Sequence, residues 1–252
     1  MTGDPSTQAL SFVRVRAVAV VRLRRLVRTR RLALATLMTM LPWLIVEQEL
    51  LVARISALTE FTVVGLTVLV AGAVAEDLDG GQYAISLTHD CRPVELLAGE
   101  LAAALAVAFL LVALQLPVAL RGAVASNVAA VMLCLAWLAA LLAGWISLML
   151  LFATVIEGVG NAVAMIPLLI LPSLLSATTV LDRLPSLAAG LIRLVLDLAP
   201  TPRHAAALYQ SLLLGAPLPR IAPLVLAAAP VAYFALAALR LSRMQPAGRV
   251  AA

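Results

Sequence analysis

The side chains able to do covalent or metal chemistry are few in this sequence. It holds two histidines, His89 and His204, and two cysteines, Cys91 and Cys134. A zinc site needs about three or four such ligands at close spacing, and these four assemble no local cluster of that kind. One cysteine lies in a polar stretch and one in an apolar run, so no disulfide framework is indicated. All 18 basic residues are arginine, and no lysine occurs in the 252 residues. That excludes a phosphate-binding loop of the form GxxxxGK[ST], whose lysine reaches the nucleotide's phosphates, and it excludes Schiff-base chemistry on lysine. Ser147 and Ser173 place hydroxyls in apolar runs, but neither has a base nearby in sequence and there is no HExxH. An intramembrane enzyme would need such a group at membrane depth, and both histidines fall outside the apolar runs.

What remains is charge. Residues 75–100 read AEDLDGGQYAISLTHDCRPVELLAGE and hold Glu76, Asp77, Asp79, Asp90, Glu95 and Glu100, six of the chain's 13 acids. Gly80-Gly81 permits a sharp backbone turn. Gln82–Thr88 has a polar and an apolar side, and Pro93 suits the first turn of a following helix. Two uses fit such a stretch: a docking surface for a soluble partner, or a plain solvated hairpin.

These residues must be positioned by something, and composition says what. The chain is 63% hydrophobic and 12% charged, with a mean hydropathy of +1.07. A soluble domain carries about 25% charged residues, so the apolar mass calls for a bilayer. A crossing helix needs about 20 mostly apolar residues. Four uncharged runs meet or approach this, Leu101–Leu120, Val128–Ile156, Ala162–Val180 and Ile221–Leu239, the second long enough to tilt or to bend near Gly144. Two shorter runs, Leu32–Val46 and Phe61–Ala75, extend to full length with Glu47, Glu49 and Glu60 near a membrane face. The expectation is an all-α integral membrane protein with six spans, at about 32–51, 55–75, 98–120, 127–156, 161–180 and 221–242. No cleavable signal peptide is evident, because the first apolar run follows 31 residues dense in arginine.

Arginine placement orients the bundle. With the N-terminus in the cytoplasm, twelve arginines fall inside, eight of them before the first span, and six fall outside. The positive-inside rule favours that threading, with both termini cytoplasmic in a bacterial cell membrane. Residues 1–31 then form a cytoplasmic Arg-rich segment. Within it Val20, Leu23, Leu26 and Val27 share one helical face and Arg14, Arg22, Arg25 and Arg28 the other, as in a helix lying in the membrane interface with its arginines towards headgroups. A purely topogenic charge cluster is the plainer reading; nucleic-acid binding is disfavoured by direct attachment to the first span. Residues 76–97 form a cytoplasmic loop and 243–252 a cytoplasmic tail. Residues 181–220 fall outside. They are too apolar for a free loop, and Pro185, Pro200, Pro202, Pro217 and Pro219 cut them into pieces that suit short re-entrant or interfacial helices packed on protein.

This order of features resembles the membrane subunits of ABC exporters of the ABC-2 type. In that family an amphipathic cytoplasmic helix precedes two spans, a coupling loop and four more spans, with short re-entrant helices before the last. In the loop, Glu76, Gly80 or Gly81, Ile85-Ser86-Leu87, Pro93 and Gly99-Glu100 match the family's order, with Glu100 where a lysine is common. Ala199-Pro200 ahead of Tyr209 matches its Pro-containing turn before the last span, without the usual asparagine. More loosely, the chain is similar to haem-exporter subunits and to drug-efflux permeases of mycobacterial type. The resemblance implies a permease without an ATPase site or cofactor of its own. ATP and magnesium would be bound by a separate ATP-binding subunit, and a second or paralogous permease would complete the unit. It implies partner coupling through Glu76, Asp77, Gly81, Tyr83, Leu87 and Pro93, and an amphiphilic cargo such as a drug or lipid. Thr62, Ser173 and Ser176 are candidates for the cargo path. The competing expectations are a stand-alone channel or scaffold and an intramembrane enzyme.

Overall fold

The structure, a computed structural model, describes residues 11–28, 30–40, 42–45, 50–79, 92–121, 128–156, 163–170 and 185–243, the side chains of 31, 42, 45 and 71–79 excepted. The described residues are helical without strands. In chain order the helices are α1 (Phe12–Arg28), α2 (Arg30–Met40), α3 (Pro42–Ile45), α4 (Leu51–Asp79), α5 (Pro93–Ala119), α6 (Val128–Ala153), α7 (Ser186–Leu198), α8 (Pro202–Leu214) and α9 (Ala222–Arg243), with a further helical stretch over 163–170.

Four of these are long and apolar enough to cross a membrane: residues Leu51–Val70 of α4, and α5, α6 and α9 in full. They fall where the sequence pattern puts spans two, three, four and six. The segment expected as span one is described as α2 and α3, the latter opening on Pro42; proline cannot donate the hydrogen bond that would continue a helix through it. The 163–170 stretch lies in the expected span five, whose remainder is outside the described residues.

Helix α4 is the hub. It packs against α2, α5, α6 and α8, while α6 and α9 form the most extensive pair. Leu58, Val63, Leu66 and Leu69 of α4, Leu97, Ala108 and Leu111 of α5, and Leu138, Leu141 and Trp145 of α6 are fully buried. Phe109, Leu110, Met132, Leu133, Val231 and Leu236 point outwards. An apolar exterior over a packed interior suits a bundle in lipid, where association relies on close packing and polar contacts rather than on the hydrophobic effect. Small residues let backbones approach: a Cβ on Gly144 would meet Pro200 at 3.2 Å and Ala229 at 3.3 Å, and one on Gly65 would meet the Ala35 carbonyl oxygen at 3.2 Å.

Buried polar side chains hold the other elements to α4. The Gln115 amide of α5 donates to Thr62 Oγ1 at 3.0 Å, and its carbonyl accepts from the Trp43 indole of α3 at 3.1 Å. Trp43 also meets Phe61 edge to face, with ring centroids 5.6 Å apart. The Trp145 indole of α6 donates to Thr67 at 2.9 Å, and the Tyr209 hydroxyl of α8 lies 3.1 Å from that of Thr59. Such bonds are worth only about 0.6 kcal/mol each on average in membrane proteins. Their main effect is to fix register, since a shifted helix would leave the groups unsatisfied in an apolar interior. Helix α8 opens on Pro202 and closes at Gly215, whose φ of 69° is the left-handed cap that ends many helices.

Candidate functional site

The densest described charge cluster lies where α1 crosses the first turns of α5. Arg92 precedes α5 in extended backbone and Pro93 opens the helix, where proline's missing N–H costs nothing. Glu95, one turn in and 1% exposed, takes the Arg92 N–H on Oε2 at 3.0 Å and the Ser11 N–H on Oε1 at 2.9 Å. It thus caps its own helix and receives the backbone that leads into α1. A carboxylate here also faces the positive end of the α5 dipole. Arg14 approaches Glu95 Oε2 at 3.6 Å with its side chain 44% exposed. With its arginine end this open to solvent and its separation this long, the pair contributes little, so the backbone donors are the main hold on Glu95.

Arg22 and Glu100 form an ion pair two turns further up α1, both side chains about nine-tenths buried. Between the two carboxylates sits Gly99. A Cβ there would lie 2.5 Å from Val18 Cγ1 and 3.1 Å from the Val15 carbonyl oxygen, so glycine is what lets α1 lie this close. The sequence pattern assigns Arg14, Arg22, Arg25 and Arg28 to a face turned towards headgroups; in the structure Arg22 of that face and Leu26 of the apolar face turn inwards, while Arg14, Arg25 and Arg28 are exposed. Helical periodicity identifies the face but not what covers it. The signal the sequence does carry is stoichiometric: two acids at the mouth of an apolar helix require partners, and the arginines upstream are the nearest supply.

Among the residues singled out for coupling, Glu76 and Asp77 lie on the last turns of α4, which runs on to Asp79, beyond the expected boundary at 75. Pro93 is the first residue of α5. Gly81, Tyr83 and Leu87 lie outside the described residues, as do Ser173 and Ser176. Thr62 is fully buried between α4 and α5 and accepts the Gln115 amide. Gln115, hidden in a long apolar run of the sequence, is the buried polar group that joins Thr62 and Trp43.

A second polar place lies at the opposite end, in the α7–α8 turn. Thr201 Oγ1 and His204 Nδ1 are 3.0 Å apart, beside a hollow of about 270 Å³ lined in part by Asp197, Arg203 and Arg220. Burial pushes the His204 imidazole below the usual histidine range; the Arg203 charge adds to this and Asp197 opposes it. No known protein-family model matches the chain, and no curated protein matches it.

Proposed function

We propose that this chain is the permease subunit of an ATP-driven exporter of the ABC-2 type, in a bacterial cytoplasmic membrane. A separate ATP-binding subunit would dock on the cytoplasmic end formed by the close of α4, the 80–91 connection and the α1–α5 junction. The observation that carries the reading is that junction. Glu95, Gly99 and Glu100 bind α1 to the start of α5, so a push on the connection would move two helices together. A bistable bundle biased by ATP binding at one end is how such coupling works physically. The four long apolar helices and the ordered sequence motifs of residues 76–100 support the same reading.

The proposed topology has six crossings with both termini inside. Its support is a matter of end points. Arg22 meets Glu100, whereas Trp43 meets Gln115, fifteen residues further along α5; that is a rise of about 22 Å. The chain between Arg22 and Trp43 therefore climbs most of a bilayer, though in short helices. Likewise Arg240 Nε donates to the Thr154 carbonyl at one end of the bundle, while Tyr209 meets Thr59, near the start of α4, towards the other. The end points of residues 155–208 thus support a fifth crossing.

The test is co-purification of this chain with P-loop ATPase subunits encoded beside it, followed by assay of the pair. The expected result is a stable complex whose ATP turnover rises with an amphiphilic cargo. Tyr83→Ala should weaken assembly more than Asp79→Ala, because a buried aromatic anchor can cost about 2 kcal/mol or more and a rim charge little. ATP hydrolysis by the isolated chain, or a loop deletion over 81–88 that leaves association and export intact, would defeat the reading.

A further inference from the structure

Glu60 is the charge that the bundle leaves unexplained. It sits midway along the apolar stretch Leu51–Val70 of α4, about 13 Å along the helix axis from Leu51, deeper than the place near a membrane face that the sequence pattern gives it. Almost every neighbouring position of α4 is buried, but Glu60 is exposed on the chain's outer face, and among the described residues it has no ion-pair or hydrogen-bond partner. It forms one edge of a hollow of about 360 Å³ between α4 and α8, with Ser56 and Gln210 as its other polar groups and Val52, Ala57 and Ala206 as apolar wall.

A bare carboxylate at that depth faces hydrocarbon, which is costly, and residues so placed mark pathways or pairings. Three occupants compete to cover it. Lipid tails or any neutral apolar body would leave the charge unpaired. A second copy whose two-fold axis passed through this patch would set one Glu60 beside the other. A cation carried on an apolar body satisfies the whole hollow: its charge pairs with Glu60, Gln210 and Ser56 supply neutral hydrogen-bonding groups, and its chain lies on Val52, Ala57 and Ala206. The volume, near the lower end of ligand-pocket sizes, suits a headgroup and its first few carbons.

We propose that the α4–α8 hollow is a binding site for the headgroup of a cationic amphiphile, with Glu60 as its charge partner. Calling that amphiphile the cargo rests on the exporter reading; the binding itself does not. It is measured on the chain alone in phosphatidylcholine nanodiscs, as saturable retention of labelled dodecylammonium over empty discs, against the neutral alcohol of the same chain length. The expected result is a preference of about tenfold for the cation, lost in Glu60→Gln and kept in Glu60→Asp, because a hydrogen bond or pair to a charged group outweighs a neutral one by about this factor. Gln210→Ala should weaken cation binding several-fold. Glu60 and Gln210 both lie on the outer surface, so equal elution profiles are expected for all variants. Equal retention of cation and alcohol, an unchanged preference in Glu60→Gln, or efficient Ser56→Cys cross-linking between two copies in a background free of Cys91 and Cys134 would each overturn the site. Failure here leaves the exporter reading standing, and failure of an ATPase to co-purify leaves this site standing.

Discussion

Glu100 is tolerated at the entrance of an apolar helix because Arg22 reaches it. Separating two such charges from water is expensive, and the pair repays that cost only while both partners are present. Arg22→Ala takes a buried cationic partner from the Glu100 carboxylate and should destabilise the protein, by up to about 3–5 kcal/mol, the range for a broken buried pair. Replacing both residues together, Arg22→Met with Glu100→Leu, should cost much less, because no carboxylate is left buried at this position. Thermal unfolding in mild detergent, followed by the fluorescence of Trp43, Trp137 and Trp145, distinguishes the two cases. A double variant as unstable as the single would mean that the ion pair is not what holds this contact. Glu95 should respond differently, since its oxygens serve backbone N–H groups. Its amide isostere, Glu95→Gln, keeps one carbonyl acceptor and should therefore lose less than Glu100→Gln in the same measurement.

The elements divide sharply into those that periodicity reveals and those that contacts reveal. Helices α5, α6 and α9 were legible because each is an apolar run of span length, and the start of α5 was legible because proline is welcome in a first turn. The end of α4 was not. Glu76, Asp77 and Asp79 read as loop because they are charged, yet a helix leaving an apolar layer becomes polar before it stops. The packing of α1 was also hidden: a wheel of arginines on one side and Val20, Leu23 and Leu26 on the other describes a helix on lipid as well as one on protein. Gly99 is the residue that decides, and it is silent in composition. Its replacement tests the element as a unit. Gly99→Ala places a methyl within 2.6 Å of Val18 Cβ and Cγ1, closer than packed carbons approach, so α1 must shift. Gly99→Leu should detach it. The expected readout is faster protease cleavage within residues 11–28 in right-side-in vesicles opened to the enzyme, rising from glycine to alanine to leucine, while α5 remains inserted. Equal cleavage in all three would show that α1 does not depend on its seat against α5.

For the whole molecule, the question is how many times the chain crosses, and the two short helices α2 and α3 carry the answer. Helix α2 has 11 residues, a rise of about 16 Å, well short of the roughly 30 Å hydrocarbon core. Yet its flanks are tied to opposite parts of α5, Arg22 to Glu100 before it and Trp43 to Gln115 after it. Polar anchors of this kind let a broken helix cross where it is packed on protein, since the backbone groups freed at the break can be satisfied by neighbours instead of facing lipid. The arrangement also explains why Thr39 of α2 is buried although it lies in a segment of only moderate hydropathy: Gly65 of α4 receives it. If residues 30–50 cross in this way, Arg22 and Arg54 lie on opposite faces of the membrane. A single cysteine at Ser11, in a chain lacking Cys91 and Cys134, should then be labelled by a membrane-impermeant maleimide only after the cells are opened. A cysteine at Leu50 should be labelled in intact cells, and one beyond Arg243 only in opened cells. Labelling of residues 11 and 50 from the same side would leave α2 and α3 as a surface hairpin. It would also require Trp43 to reach Gln115 from the face that holds Glu100, against the rise of α5 between them.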